Sequence, residues 1–234
     1  MNQFPLLGKT FVVFFNKERV SELLRSNKCY KGEIPFLKEL METEGKYEYK
    51  LEQPEFTGRY KNAKFMTLSR QTRQYLLQDE YIDVDIVASQ PNIMLSFFKS
   101  HNMDCPKLKK YCENRDKYIQ KVIDGFELKD SIVEEKEYTT KDKAKELFTS
   151  IMNLGKIENW AKKFDVDLDN CEYQYFKDLR DEINNNLWAS TPIEKELFEY
   201  IKSQNKERPL ASFSSALYQQ YERKILEMVL KDDK

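Results

Sequence analysis

Only six glycines punctuate this 234-residue chain, and between them apolar residues recur at three- and four-residue spacing over most of its length. So little backbone freedom combined with a 3.6-residue period specifies helices packed around a small sheet, a predominantly helical α+β class. "KERVSELLRSNK" and "IPFLKELMETEG" read as two short helices, the second ending at Gly45, and "KYEYKLEQ" alternates as a strand stopped by Pro54. Helical period returns in "TLSRQTRQYLLQD" and again in "NIMLSFFKSHN", where Pro91 sits in the first turn. "KLKKYCENRDKYIQKVI" reads as one amphipathic helix or a close pair, and residues 124–139 as loop or short strand. Thr139 or Thr140 caps a helix over "KDKAKELFTSIMNL" that ends at Gly155. "KIENWAKKFDVD", "YQYFKDLRDEINNNLWAS" and "PIEKELFEYIKSQN" follow as helices, the last opened by Thr191 and Pro192, and one long helix carries "SFSSALYQQYERKILEMVLKDDK".

No apolar run is long enough to cross a bilayer, and the first residues lack the basic and small-residue flanks of a signal peptide, so an intracellular protein with no membrane partner is expected. Cys29, Cys105, Cys112 and Cys171 are scattered, with His101 the one histidine, a pattern that reads as free thiols rather than zinc or disulfide chemistry. The formal charge of −1 gives no overall signature of nucleic-acid binding. His101 reads as a helix-end residue, and Trp160 and Trp188 as core or half-buried anchors.

In "YIDVDIVASQP", Asp83 and Asp85 alternate with Ile82, Val84 and Ile86, so on a strand both carboxylates share one face just ahead of a strand-to-helix turn. Paired acids repel unless a cation offsets them, and hard cations such as Mg²⁺ or Mn²⁺ favour carboxylate oxygens. The plain alternative is a solvated acid or one facing a lysine. Lys141 and Lys145 lie one helical turn apart, a spacing that meets a polyphosphate or equally a solvated face, with Phe148 beside them.

Taken in order, "TGRY", "LSRQTRQYLL", "YIDVDIVASQP", "TTKDKAKELFTSIMNLG" and "RPLASFSSALYQQYERKIL" resemble the polymerase core of family A DNA polymerases, nearest the divergent viral and plasmid-type members. The resemblance covers roughly residues 55–230. It implies a small antiparallel palm-like sheet with a helical fingers subdomain: residues 1–54 as an N-terminal segment or thumb remnant, 55–125 as the palm part with motif A, 126–206 as fingers, and 207–234 as a palm helix. Carried over by position, Thr57, Gly58 and Arg59 with Arg70 and Arg73 would hold primer and template. Asp85, with Asp83 as the alternate register, would be the metal-binding catalytic acid, and Lys145 the catalytic cation. Lys141, Lys145 and Phe148 would meet the incoming nucleotide. Phe148 stands one residue early against the family's pattern, Gly155 one late, and Leu154 occupies the place of a tyrosine.

The implied activity is template-directed nucleotidyl transfer in DNA replication, with primer–template DNA and deoxynucleoside triphosphates as partners and two divalent ions as cofactor. Two acids from different strands must clasp those ions, and no second acidic strand, motif C, is found in the sequence. A second chain supplying motif C is therefore an expected partner, and a chain without it is an incomplete polymerase. The alternative from another class is a non-catalytic helical module that binds nucleic acid or a partner protein. A nuclease has less support, because the chain offers no His or carboxylate cluster of the usual kind.

Overall fold

The computed structural model describes residues 10–26, 29–50, 67–78, 88–169 and 173–232. Among them the chain is mostly helical, with eleven α-helices and two separate two-stranded antiparallel sheets. It divides into two compact units, Met1–Asp85 and Ile86–Lys234. The predominantly helical α+β class expected from the period is therefore observed, with the sheet content split in two.

In the first unit, β1 (Thr10–Phe14) pairs with β2 (Lys46–Lys50), register Thr10↔Lys50 to Phe14↔Lys46. The sequence reading found β2 but gave no strand over the apolar "TFVVF" that became β1. Between them lie α1 (Lys17–Ser26), a 3₁₀ turn (Lys31–Glu33) and α2 (Ile34–Glu42), and α3 (Arg70–Leu77) follows β2. Asn16 opens α1 by accepting from the Glu18 backbone N–H at 2.8 Å. Gly45 turns the chain from α2 into β2 with φ +74°, and its carbonyl accepts from the Phe15 N–H at 2.9 Å. Phe15, Val20, Leu23, Phe36, Leu37, Leu40, Leu68 and Leu76 form the core, which Tyr47 closes edge-on against Phe36 at 5.2 Å.

Glu33 ties this unit together. Its buried carboxylate accepts from the Tyr30 N–H at 3.0 Å, from the Thr72 hydroxyl at 2.9 Å and from the Ser69 N–H. Ser69 in turn caps α3 by accepting from the Thr72 N–H at 3.1 Å. One acid thereby joins the turn before α2 to the N-terminus of α3, where a negative charge is favoured.

The second unit contains α4 (Ser89–Ser100), α5 (Pro106–Glu113), α6 (Arg115–Gly125), the β3–β4 hairpin (Ser131–Val133 with Lys136–Tyr138), α7 (Thr140–Met152), α8 (Ile157–Phe164), α9 (Tyr173–Ser190), α10 (Lys195–Ser203) and α11 (Pro209–Asp232). The segment 107–123 is thus a pair of helices interrupted at Asn114, and residues 191–194 form turns, so α10 begins at Lys195 rather than at Thr191 or Pro192. Glu182 on α9 caps α5 by accepting from the Lys107 and Leu108 N–H groups at 3.0 and 2.8 Å. His101 ends α4, its Nδ1 2.9 Å from the Phe97 carbonyl oxygen.

Helix α7 lies at the centre, contacted by α4, α6, α8, α9 and β4. Thr139 caps it: its hydroxyl oxygen accepts from the Asp142 N–H at 3.1 Å, and the Asp142 carboxylate accepts from Thr139 in return. At the other end the Leu154 N–H donates to the Ile151 carbonyl at 2.9 Å and the Gly155 N–H to the Ser150 carbonyl at 2.7 Å, with Leu154 at φ 54°. The left-handed residue is therefore Leu154, while Gly155 is required by proximity: a Cβ there would lie 2.9 Å from the Ser150 backbone oxygen and 2.1 Å from its Oγ. Gly155→Ala is expected to cost about 1–3 kcal/mol, because the contact is with backbone and not only with a side chain that can turn away; thermal unfolding of the variant checks it.

Four side chains, from α4, α9, α11 and the residue just before α11, converge on the carbonyl end of α7. Arg180 donates to the Gly155 and Leu154 oxygens at 3.0 and 3.2 Å, and Arg208 also donates to the Leu154 oxygen. The Ser214 hydroxyl donates to the Met152 oxygen at 2.7 Å, and Gln90 donates to the Asn153 side chain at 3.0 Å. Two guanidinium groups thus lie just beyond the negative end of the helix dipole, and Ser214 satisfies an orphan carbonyl of its last turn.

Candidate functional site

The residues assigned by motif fall into three groups. Thr57, Gly58, Arg59, Asp83 and Asp85 lie outside the described residues. Arg70 and Arg73 belong to α3 of the first unit, Arg70 exposed and Arg73 donating to the Leu68 carbonyl at 3.1 Å. Lys141, Lys145 and Phe148 share α7 of the second unit. Among the described residues no group of three or more His, Cys, Asp or Glu side chains is placed to hold a metal ion.

The α7 stripe is the informative part. Positions 141, 145 and 148 fall along one line of a helix with 3.6 residues per turn, yet their surroundings change sharply along it. Lys141 is exposed, Lys145 half-buried, and Phe148 only 2% exposed. The line enters the interior because α5 and α9 cover its C-terminal half: Tyr111 stacks on the Phe148 ring at 4.0 Å and 20°, and Phe176 meets its edge at 5.8 Å and 77°. Ala144, Leu147, Ile151 and Met152 complete the buried side. Phe148 is a core residue of this unit, with a neighbouring ring already stacked on it, while the two lysines remain at the accessible end.

Electrostatics at that end are mixed. The Thr139 hydroxyl, bonded to the Asp142 carboxylate, holds that group below the usual carboxylate range, with Lys145 and Lys136 adding to the effect. Asp142 therefore stays ionised and is already engaged as the partner of the cap, leaving Lys141 and Lys145 flanking it on the helix surface.

A second basic group was not singled out by motif. Tyr138 of β4 and Phe164 of α8 meet edge-to-face at 5.1 Å and 71°, and three lysine ammonium groups surround them. Lys136 lies over Tyr138 at 4.6 Å, Lys163 over Tyr138 and Phe164 at 4.7 and 4.8 Å, and Lys143 over Phe164 at 5.3 Å. Lys163 is paired, donating to Glu146 at 2.6 Å and to the Tyr138 hydroxyl at 3.1 Å. Burial would favour its neutral form, but these hydrogen bonds outweigh it and hold its pKa above the ordinary lysine value. Lys143 is buried at 4% exposure, and the Trp160 indole N–H donates to its backbone carbonyl at 2.9 Å. The sequence signal for Lys143 was present: in "KDKAK" it stands between Lys141 and Lys145, about 200° around the helix from each, and therefore on the inward side.

Trp160 is a core anchor and Trp188 is 52% exposed, edge-on to Phe198 at 5.9 Å. Cys29, Cys105 and Cys112 are free thiols, and burial, with Cys105 nearby, pushes Cys112 up to about 12. Cys171 lies outside the described residues. No described helix is long and apolar enough to cross a membrane. No protein-family model, curated protein or solved structure matches the chain.

Proposed function

We propose that the chain is a polymerase-like nucleic-acid-binding module that contacts backbone phosphates through Lys141 and Lys145 and does not by itself select or join nucleotides. The observation that carries this reading is the division of α7: the lysines occupy its accessible end while Phe148 is committed to the core. Phosphate contact requires flexible cations near the surface, whereas shaping a pocket for a nascent base pair requires an available aromatic ring. The first requirement is met on this helix and the second is not.

The order of the T-G-R segment, the Asp83/Asp85 pair and the lysine pair supports kinship with family A polymerases and keeps a second reading: template-directed polymerisation with Mg²⁺ or Mn²⁺ held at Asp85 and Asp83, completed by a motif C from another chain. The two readings separate in one assay. Primed single-stranded DNA is offered to the chain and to its Asp85→Asn variant with deoxynucleoside triphosphates and Mg²⁺ or Mn²⁺. Salt-dependent binding without extension is the expected result. Extension abolished in the variant would replace the proposal with the polymerase, and absence of both binding and extension would leave a protein-docking helical module.

A further inference from the structure

Helix α7 carries two acids in its first two turns, and their charges are met differently. Glu146 is paired with Lys163, whose ammonium donates to it at 2.6 Å, so a cation of the protein offsets its charge. Asp142 bonds neutral donors instead: its carboxylate accepts from the Thr139 hydroxyl at 2.7 Å and from the Thr139 N–H at 3.3 Å. Those bonds fix where the carboxylate lies and leave its negative charge in place. Asp142 is exposed, Lys141 precedes it directly, and Lys145, three residues on, is its neighbour on the helix surface. A fixed anion therefore stands within the lysine edge. The first amides of the helix are also engaged: the Asp130 carboxylate accepts from the Thr140 N–H at 2.7 Å, and the Thr139 hydroxyl oxygen from the Asp142 N–H at 3.1 Å. An incoming phosphate thus meets the lysine side chains with a like charge among them, and those two amides are already taken by the protein's own oxygens.

We propose that Asp142 is a built-in attenuator of the Lys141/Lys145 site, an internal anion held in place by the Thr139 cap that keeps the affinity of the two lysines for backbone phosphate down. This rests on the nucleic-acid reading of the lysines and adds to it the residue that sets their strength. One residue then serves twice: as the third residue of the helix it closes the capping box, and as a charge it opposes the ligand of the lysines beside it. The opposition is electrostatic, so it acts within the Debye length, about 10 Å at 0.1 M salt, and fades as salt shortens that length to about 3 Å at 1 M.

The test measures primer–template binding by the full chain at low and at high salt. Asp142→Asn removes the charge and keeps an oxygen for the Thr139 hydroxyl and N–H. It is expected to bind about threefold more tightly than wild type at low salt, a gain that shrinks toward parity at high salt. Thr139→Val, which removes the cap hydroxyl and keeps the carboxylate charge, is expected to give no such gain. A purely structural Asp142 would give equal or weaker binding in Asp142→Asn at every salt concentration, and that result would overturn the proposal. An equal gain in Thr139→Val would assign the effect to the cap and overturn it as well. The two readings fail separately. Binding lost in Lys141→Ala with Lys145→Ala, beside an unchanged Asp142→Asn, discards the role of Asp142 and keeps the lysines; absence of binding by wild type and Asp142→Asn alike discards both.

Discussion

Phe148→Ala is expected to lower the stability of the second unit by about 3–5 kcal/mol, the range for removing a buried phenylalanine from a packed core. The loss has two parts, the transfer energy of the ring and the cavity left between Tyr111 and Phe176, whose rings lie 4.0 and 5.8 Å away. The offset stack adds a smaller specific term, about 0.5–1.5 kcal/mol for an aromatic pair. Both tryptophans of the chain, Trp160 and Trp188, lie in this unit, so tryptophan fluorescence during urea unfolding reports on it directly. Phe148→Leu, which fills part of the space, is expected to recover much of the loss. A change below 1 kcal/mol for the alanine variant, together with weakened nucleotide binding, would return Phe148 to the role the motif implied.

The second large effect lies in the first unit. Glu33→Leu removes the shared acceptor of the Tyr30 N–H, the Ser69 N–H and the Thr72 hydroxyl, and is expected to cost about 3 kcal/mol, since each buried donor left without a partner costs about 1–3 kcal/mol. Burial alone would raise the Glu33 pKa. The hydrogen bonds from Ser69, Thr72 and Tyr30 outweigh it and hold the carboxyl below the usual carboxylate range. Because the folded value is depressed, the stabilisation is fully present above the unfolded-state value and is lost as pH falls through the folded one. The gap between wild type and Glu33→Leu is therefore widest near neutral pH and narrows in acid. Hydrogen exchange of the α2 and α3 amides at neutral and acidic pH measures it within the intact chain.

How far the sequence spoke for this architecture depends on the length scale of each signal. Helices were legible where an apolar face and a cap coincide, as at Thr139, whose hydroxyl bonds the Asp142 N–H, and where a single long period runs through α11. The β3–β4 hairpin was less legible because its turn, Glu134–Glu135, has φ of 49° and 64° without the glycine or asparagine that usually marks such a turn. β1 carries continuous apolar residues rather than alternation, so its strand character comes from pairing with β2, a partner some 36 residues away along the chain. At the C-terminus of α7, glycine pointed to the right turn but for a different physical reason: Leu154 takes the left-handed conformation and Gly155 makes the close approach.

The candidate site shows the same division. Spacing placed Lys141 and Lys145 one turn apart on a helix with Phe148 on an adjacent face, and nothing local in the sequence announced that α5 and α9 would cover Phe148. Lys143 stands about 200° around the helix from Lys141 and Lys145, so the period sets it apart from its lysine neighbours, and the packing around α7 makes that side an inward one. The tie from Arg180 and Arg208 to the end of α7 joins segments 25 and 54 residues apart, beyond the reach of any local pattern.

The central claim, that Lys141 and Lys145 at the accessible end of α7 meet nucleic-acid phosphates, is tested most directly by the salt dependence of primer–template binding. Fluorescence anisotropy across a salt series gives the slope of log K against log salt, which for duplex DNA is about −0.9 per phosphate neutralised. Lys141→Ala with Lys145→Ala is expected to weaken binding and to reduce the magnitude of that slope by about 2. Binding with an unchanged slope in the double variant, or no binding by the wild-type chain, would contradict the account.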